Sequence, residues 1–150
     1  QADPTAGIDS ALTLVQHLLG ERITVERDYG SIEPFFCAPA QLNQVFMGIL
    51  TNAIESIDGP GEILISTSQQ DGIFSVSFSD SGRGIPSEIQ QRIFDVGFNS
   101  SGDRVRMGSS LALAYRIVQE HGGEISLESQ VGRGTQILVS LPQRSRRQSD

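Results

Sequence analysis

Alternation of apolar and polar side chains marks the strands of this chain. Five segments alternate in this way or form short apolar runs bounded by turn residues: residues 23–29, 62–67, 73–79, 124–129 and 135–141. A strand with one buried face repeats at a period of two residues. Polar or glycine-containing turns join the second segment to the third and the fourth to the fifth. The pattern therefore predicts two β-hairpins and one separate strand.

Apolar residues spaced three and four apart mark three helices. The first runs over about residues 8–19 and ends at Gly20; the second and longest spans residues 42–57; the third begins near Leu111 and ends at His121. This spacing places the apolar side chains of each segment on one helix face. All three helices are therefore expected to pack against a common core.

Two segments between the hairpins have a different character. A short helix is expected over residues 87–92, with Ser87 as its N-cap. Residues 99–110 are polar and contain glycine, so this segment buries itself poorly and is expected to be mobile. The order helix, strand, long helix, hairpin, mobile segment, helix, hairpin predicts an α+β fold. We expect a two-layer sandwich in which helices cover one face of a mixed, mainly antiparallel sheet.

Composition narrows the classes of function. The chain has 150 residues, 37% of them hydrophobic, which suits one domain over residues 1–143 and a basic tail at residues 144–150. A formal net charge of −7 argues against binding to nucleic acid. No apolar run is long enough to cross a membrane and no signal peptide is present, so we expect no membrane contact by this domain. Cys37 has no second cysteine to pair with, which fits a reducing, cytoplasmic location.

Asp80 ends the third predicted strand and is followed by Gly82 and Gly84. A carboxylate at the end of a buried strand and a tightly bent backbone beside it can meet the same small ligand. The alternative is an ordinary surface turn, because Asp, Ser and Gly are common turn residues and Pro86 stops further pairing. The segment is a candidate binding loop.

Asn52 is a candidate polar residue on the longest helix. At about 100° per residue it falls at the margin of the apolar stripe, on the same side as Gly48 and Glu55. An amide in this position can face a cleft while the helix stays packed. The alternative is an amide at the rim that binds water.

Four features occur in a fixed order: Asn52 on a long helix, residues 80–84 (DSGRG), a glycine-containing segment before residues 111–114 (LALA), and residues 132–135 (GRGT). This arrangement resembles the catalytic ATP-binding domain of sensor histidine kinases. These kinases belong to a wider group that includes gyrase-type topoisomerases, heat-shock chaperones and mismatch-repair ATPases. The resemblance covers about residues 8–142, and the combination is more specific than any single motif. It implies that the predicted sandwich is of the Bergerat type.

The resemblance also implies a role for each motif. Asn52 would hold the Mg²⁺ ion that bridges the ATP phosphates, since magnesium prefers oxygen ligands. Asp80 would accept a hydrogen bond from the adenine amino group. Residues 93–98 would form the F box, and residues 108–114 the second glycine box, whose backbone N–H groups would face the phosphates at a helix N-terminus. The residues implied in nucleotide binding are Asn52, Glu55, Asp80, Gly82, Gly84, Ile85, Phe98, Arg104, Arg106, Gly108, Ser109, Leu111 and Thr135.

Together these roles imply a protein-histidine kinase domain with ATP and Mg²⁺ as cofactors. The acceptor histidine would lie on a separate dimerisation and histidine-phosphotransfer domain of a parent kinase, which would serve a response regulator. That histidine is not in this chain, so the chain would not be competent alone and holds no catalytic residue of its own. A first residue other than methionine also suggests a fragment of a longer protein.

Departures from the family pattern leave an alternative open. The second glycine box keeps Gly108 but has Ser110 and Ala112 where further glycines are usual, and Gly48 replaces the Asn or Glu that relatives carry. Arg104 and Arg106 either supply cations to the lid or are solvated loop charges. The alternative function is a degenerate domain that keeps the fold, binds ATP weakly or not at all, and acts as a docking or regulatory module.

Overall fold

A five-stranded sheet and a layer of helices make up the computed structural model. It describes the backbone of residues 4–30, 39–84 and 104–142. Side chains are described for residues 6–30, 40–84 and 111–142. The strands are β1 (Ile23–Tyr29), β2 (Gly61–Gln70), β3 (Ile73–Asp80), β4 (Glu124–Gln130) and β5 (Gly134–Pro142). The helices are α1 (Pro4–Leu14), α2 (Gln16–Leu19), α3 (Pro39–Ser56) and α4 (Arg104–Glu120). Within these ranges no helix is both long and apolar enough to cross a bilayer.

The strand order across the sheet is β1-β2-β3-β5-β4. β1 runs parallel to β2, and each of the other neighbouring pairs is antiparallel. A parallel pair needs a crossover connection, and α3 lies within the crossover from β1 to β2. Both predicted hairpins are confirmed, as is the mixed, mainly antiparallel sheet.

The hairpin of β2 and β3 is tighter than the sequence predicted. β2 continues to Gln70 and β3 begins at Ile73, so the turn consists of Asp71 and Gly72 alone. Asp71 has φ 55°, a left-handed conformation of the kind that two-residue hairpin turns use. Because the strands stay paired up to this turn, their register is set along their whole length.

The inner face of the sheet, meaning the face toward the helices, is apolar almost to its end. Along β3, Phe74, Val76 and Phe78 are buried, and the Phe78 ring lies 6.0 Å from the Phe46 ring of α3, centroid to centroid. Side chains alternate between the two faces of a strand. Asp80 therefore points to the inner face as well, at the end of the same row of side chains.

The N-terminal helix is broken at Val15, whereas the sequence predicted one helix over residues 8–19. α1 begins earlier than predicted, at Pro4, and α2 adds a single turn after the break. Val15 has φ −100° and ψ 9°, and its carbonyl accepts hydrogen bonds from the N–H groups of both Leu18 and Leu19. Val15 is itself buried, and β-branched residues favour helices less than straight-chain residues do.

α4 begins at Arg104, so residues 104–110 are helical, which corrects the prediction that residues 99–110 form a mobile segment. The second half of α4 packs against α3, and a helix that is already nucleated extends at low cost. Residues 99–103 lie outside the described residues. So do the helix expected over residues 87–92, Cys37, and the basic tail.

An arginine holds the C-terminal end of α3. Arg22 Nη1 donates hydrogen bonds to the carbonyl oxygens of Ile57, at 2.8 Å, and of Gly59, at 2.9 Å. A cation is favourable here because the C-terminal end of a helix carries partial negative charge. α3 packs between α1 and α4, so fixing its end also fixes the position of the residues on its last turns.

Candidate functional site

Three polar residues lie side by side across neighbouring strands on the inner face. Asp80 of β3 pairs with Thr135 of β5, and Thr135 pairs with Ser129 of β4. Side chains of directly opposed residues in antiparallel strands lie on the same face. We call these three residues the polar row. The row lies at the end of a largely apolar inner face, on which Thr67 of β2 is a further buried polar residue, and it borders a surface depression of about 440 Å³.

Asp80 is buried, with 9% of its surface exposed, and accepts several hydrogen bonds. The Gly82 N–H donates to Asp80 Oδ1 at 2.8 Å. The Ser56 Oγ lies 3.4 Å from the same oxygen and 2.9 Å from the carbonyl oxygen of Ala53, so its single hydrogen is directed mainly to the shorter contact. The backbone N–H of Thr135 also favours the charged form of the carboxylate. The carboxylate is thus held by the loop after β3 and by α3.

Burial and hydrogen bonding act on this carboxyl in opposite directions. Burial raises the pKa of Asp80 above its usual value, because the charged form loses solvation. The hydrogen bonds from Gly82, Ser56 and Thr135 lower the pKa, and burial is the larger effect. None of the ion pairs in the described part of the chain involves Asp80. The site therefore holds a desolvated acceptor without a cationic partner among those residues.

Asn52 is 1% exposed, so the structure excludes the alternative of an amide at the rim of the helix. It precedes Ser56 by one helical turn, and residues four apart on a helix lie on the same face. The Asn52 face of α3 is thus the face that reaches Asp80. Sequence reasoning placed Asn52 correctly on α3 but did not predict that it is fully buried.

The Asn52 side-chain oxygen has no hydrogen-bond partner among the described residues. Buried polar atoms in proteins are nearly always paired, so an unpaired amide oxygen requires a reason. An oxygen of this kind suits Mg²⁺, which is often held by one or two protein oxygens together with substrate phosphates. No group of three or more His, Cys, Asp or Glu side chains that suits a metal occurs within residues 4–30, 39–84 and 104–142. The donor set therefore fits an ion shared with a ligand rather than one enclosed by the protein.

The loop after β3 and the turn between β4 and β5 pack backbone against backbone. The Gly132 N–H donates to the carbonyl of Arg83 at 2.9 Å. A Cβ atom on Gly84 would overlap the carbonyl oxygen of Gln130, and one on Gly134 would overlap the carbonyl oxygen of Asp80. The structure thus brings together the two glycine motifs, at residues 80–84 and 132–135, that sequence analysis placed in one pocket.

Arg83 ties this loop to the end of α3. Its N–H donates to the carbonyl of Ser56 at 2.9 Å, and its Nη1 donates to the carbonyl of Glu55 at 3.1 Å. Nη1 also lies 3.5 Å from Asp58 Oδ1. Glu55, which the sequence proposed as a ligand contact, is half-buried beside this cluster.

Gly82 fits closely against the last turn of α3. A Cβ atom there would overlap Ser56 Oγ and would lie 2.8 Å from Asp80 Oδ1. The close fit explains why the loop needs glycine at this position even though its φ is not left-handed.

The second glycine box differs from the prediction. The sequence placed Gly108 near a helix N-terminus, but α4 begins four residues earlier, at Arg104. In an α-helix only the first four N–H groups lack a helical partner, so in this conformation the N–H groups from Gly108 onward bond within α4. Leu111 is fully buried in the apolar core. The phosphate-binding roles of these residues stay predictions.

The remaining predicted site residues fall where the structure gives no side-chain position. Ile85 and Phe98 lie outside the described residues, and the side chains of Arg104, Arg106 and Ser109 lie outside them too. The F box at residues 93–98 also lies outside the described residues. Their roles stay predictions.

Sequence reasoning missed three residues that support the site. Ser56 and Arg83 hold the Asp80 loop, and Ser129 completes the polar row. Ser129 could have been found by counting outward from the turn at residues 131–133, since that register places it opposite Thr135. Ser56 follows Asn52 by four residues, which is also readable from the sequence. The role of Arg83 has no such signal, because its contacts depend on where α3 ends.

Comparison with known proteins gives a consistent family relationship. Residues 37–145 match the family described as histidine kinase-, DNA gyrase B-, and HSP90-like ATPase. Sporulation kinase E of Bacillus subtilis (strain 168) is 36% identical over 115 residues, which cover 75% of the chain. The sensory histidine kinase/phosphatase NtrB of Azospirillum brasilense is 35% identical over 133 residues, which cover 79% of the chain. The chain spans 15% and 32% of the lengths of these two relatives.

A solved structure has the same architecture. The mycobacterial sensor histidine kinase MprB superposes with a TM-score of 0.81 at 25% identity, with 97% of each chain covered. The agreement extends over nearly the whole length of both chains.

Proposed function

Because the chain belongs to the family of histidine kinase-, DNA gyrase B-, and HSP90-like ATPases, as an ATP-binding domain of the sensor histidine kinase type, we propose that it binds ATP with Mg²⁺ and presents the γ-phosphate to a histidine of another domain. The observation that carries the proposal is the buried Asp80 carboxylate in the polar row. A buried charge without a cationic partner is costly, and Asp80 has none among the described residues, so a donor from a ligand would offset that cost.

Asp80 would recognise the base. The adenine amino group is a hydrogen-bond donor, and the Asp80 carboxylate is an acceptor whose orientation is fixed by the Gly82 N–H and by Ser56. Asp80 and Thr135 both line the surface depression of about 440 Å³, which gives a ligand access to this part of the site. In this proposal Ile85 and Thr135 complete the contact with the base.

Asn52 would hold Mg²⁺ through its side-chain oxygen, which has no hydrogen-bond partner in the described part of the chain. When bound, the ion would neutralise charge on the phosphates. Phe98, Arg104, Arg106, Gly108 and Ser109 would contact the nucleotide from the segment before Leu111.

The role of this chain in the reaction is to bind and orient the nucleotide. A histidine nitrogen on a separate dimerisation and phosphotransfer domain would attack the γ-phosphorus in line. An N–P bond would form while the bond from the γ-phosphorus to the β,γ-bridging oxygen breaks, and ADP would leave. Gly48 has no side chain that could activate water, which disfavours hydrolysis. We place the domain in the cytoplasm, where its phosphorylated partner would serve a response regulator.

Calorimetric titration of the chain with a non-hydrolysable ATP analogue and Mg²⁺ tests the proposal. We expect saturable binding of one nucleotide per chain, weakened when Mg²⁺ is chelated. The absence of detectable heat at roughly millimolar nucleotide, which corresponds to less than about 4 kcal/mol of binding free energy, would contradict it.

Replacing Asn52 by alanine should weaken binding of the Mg²⁺–nucleotide complex by roughly tenfold or more and remove the effect of chelation. Thermal stability should change little, because the amide oxygen has no hydrogen-bond partner to lose among the described residues. Asn43→Ala is the matched control, since Asn43 is also on α3 but only partly buried. An Asn52→Ala variant that keeps the Mg²⁺ dependence of binding would exclude Asn52 as the metal ligand.

The second candidate function is a docking or regulatory module with weak or no ATP binding. One observation favours it: α4 includes residues 104–110, so the N–H groups expected at the phosphates are used within the helix. Ala112 is also buried in α4, where relatives carry glycine. A folded chain that fails both to bind nucleotide and to label an acceptor domain from radiolabelled ATP would support this candidate over the kinase domain.

A further inference from the structure

We propose that Ser129 is a positioning residue that fixes the hydrogen-bond direction of the Thr135 hydroxyl and so makes the site select the adenine amino group. The inference rests on the proposed function, because it concerns the base of the nucleotide that Asp80 would bind. It adds a residue that acts through the Thr135 hydroxyl.

The hydrogen bonds of Ser129 define a direction. Ser129 Oγ donates to the carbonyl oxygen of Gly134 at 3.0 Å, since a carbonyl can only accept. Ser129 Oγ also lies 2.8 Å from Thr135 Oγ1. A hydroxyl has a single hydrogen. Both bonds form together only if Thr135 donates its hydrogen to Ser129.

The consequence is that Thr135 offers only lone pairs to other groups. Thr135 is buried directly opposite Asp80, whose carboxylate is also an acceptor. The polar row thus presents two acceptors side by side, and no donor from these two side chains. This arrangement suits a base edge that carries an amino group.

Hypoxanthine provides the matching test ligand. It carries a carbonyl oxygen where adenine carries the amino group, so at that position it places an acceptor against the acceptors of the site. Sites built to pair one polar group reject an analogue that leaves them unpaired. If Ser129 is removed, the Thr135 hydroxyl is free to rotate and donate to that carbonyl oxygen.

The experiment measures dissociation constants for Mg²⁺–ATP and Mg²⁺–inosine triphosphate by calorimetry, for the unmodified chain and for Ser129→Ala. We expect the affinity for ATP to fall roughly two- to tenfold, and the preference for ATP over inosine triphosphate to fall by a similar or larger factor. Ser129→Thr, which keeps the hydroxyl, should restore the preference.

Two controls separate this role from a general structural one. Ser126 lies on β4 with Ser129 but on the exposed face of the sheet. Ser126→Ala should change neither the affinity for ATP nor the preference for ATP over inosine triphosphate. In a Thr135→Val background, Ser129→Ala should have no further effect on the preference, because the hydroxyl it directs is gone.

The outcomes are distinct. If Ser129→Ala weakens both nucleotides equally, or neither, Ser129 has no part in selection and the inference is wrong, while the proposed function stands. A change in preference that persists in the Thr135→Val background also overturns it. If the unmodified chain binds neither nucleotide, the proposed function fails and the inference fails with it.

Discussion

Replacing Asp80 by asparagine should weaken binding of Mg²⁺–ATP by about 10- to 100-fold while leaving the folded state as stable as before or more stable. Hydrogen bonds to a charged acceptor are worth about 1.5–3 kcal/mol, and the substitution removes the charge. The Asn side chain keeps an oxygen that can accept from the Gly82 N–H, so the loop should retain its shape. Calorimetry for binding and urea denaturation for stability measure the two effects.

The effect on stability should depend on pH in a defined direction. Burial raises the pKa of Asp80 in the folded state above its value in the unfolded chain. The folded state therefore holds the proton more tightly, and the contribution of Asp80 to stability is greatest at low pH and is lost as pH rises through its folded pKa. The stability of Asp80→Asn relative to the unmodified chain should increase from about pH 4 to about pH 7.

The two results together distinguish a ligand-binding carboxylate from a structural one. If the Asp80 carboxylate only shapes the turn, its substitution would lower the stability of the protein and leave the nucleotide affinity unchanged. A relative stability that falls with rising pH would contradict the argument from burial. Glu62→Gln is the matched control, because Glu62 is an exposed carboxylate on the neighbouring strand β2.

Replacing Gly84 by alanine should be far more harmful than replacing Gly132 by alanine. Both glycines have left-handed φ values, 81° and 85°, so an L-residue pays a similar conformational cost of about 1–2 kcal/mol at either position. The surroundings differ. A Cβ atom on Gly84 would overlap the carbonyl group of Gln130, whereas nothing lies within 4 Å of one on Gly132.

The loss of stability from steric overlap should therefore appear only at Gly84. We expect Gly132→Ala to lower the free energy of unfolding by about 1–2 kcal/mol and Gly84→Ala by about 1–3 kcal/mol more, with loss of nucleotide binding as the two loops are forced apart. Denaturation curves and calorimetry on both variants give the comparison. Equal effects at the two positions would mean that the loops are not packed as closely as the structure has them.

Much of the fold is readable from the sequence because its elements are local. The period of two places Phe78 and Asp80 on the same face, and the spacing of apolar residues on α3 places Asn52 beside the core. Three features were not readable from the sequence. The parallel pairing of β1 with β2 joins strands that are distant in the chain. The break at Val15 and the start of α4 at Arg104 are not marked by the spacing of apolar residues.

The candidate site divides in the same way. The binding loop and the last glycine motif were predicted, because a carboxylate and glycines at strand ends are visible in the sequence. The supporting contacts of Arg83 and Ser129 depend on which carbonyl or hydroxyl lies opposite, so they required the register of the sheet. At the predicted phosphate end the structure adds one difference, since residues 104–110 are helical and a nucleated helix extends at low cost. The nucleotide contacts of these residues stay predictions.

The pairing of β3 with β5 has a consequence for folding. β2 with β3 and β4 with β5 are local hairpins that close over short turns, whereas β3 and β5 are distant in the chain and must lose more loop entropy to meet. The polar row crosses from one hairpin to the other, because Asp80 lies on β3 and Thr135 on β5. A ligand held between Asp80 and Thr135 would therefore link the two hairpins, and its concentration would set how firmly the two parts of the chain stay assembled.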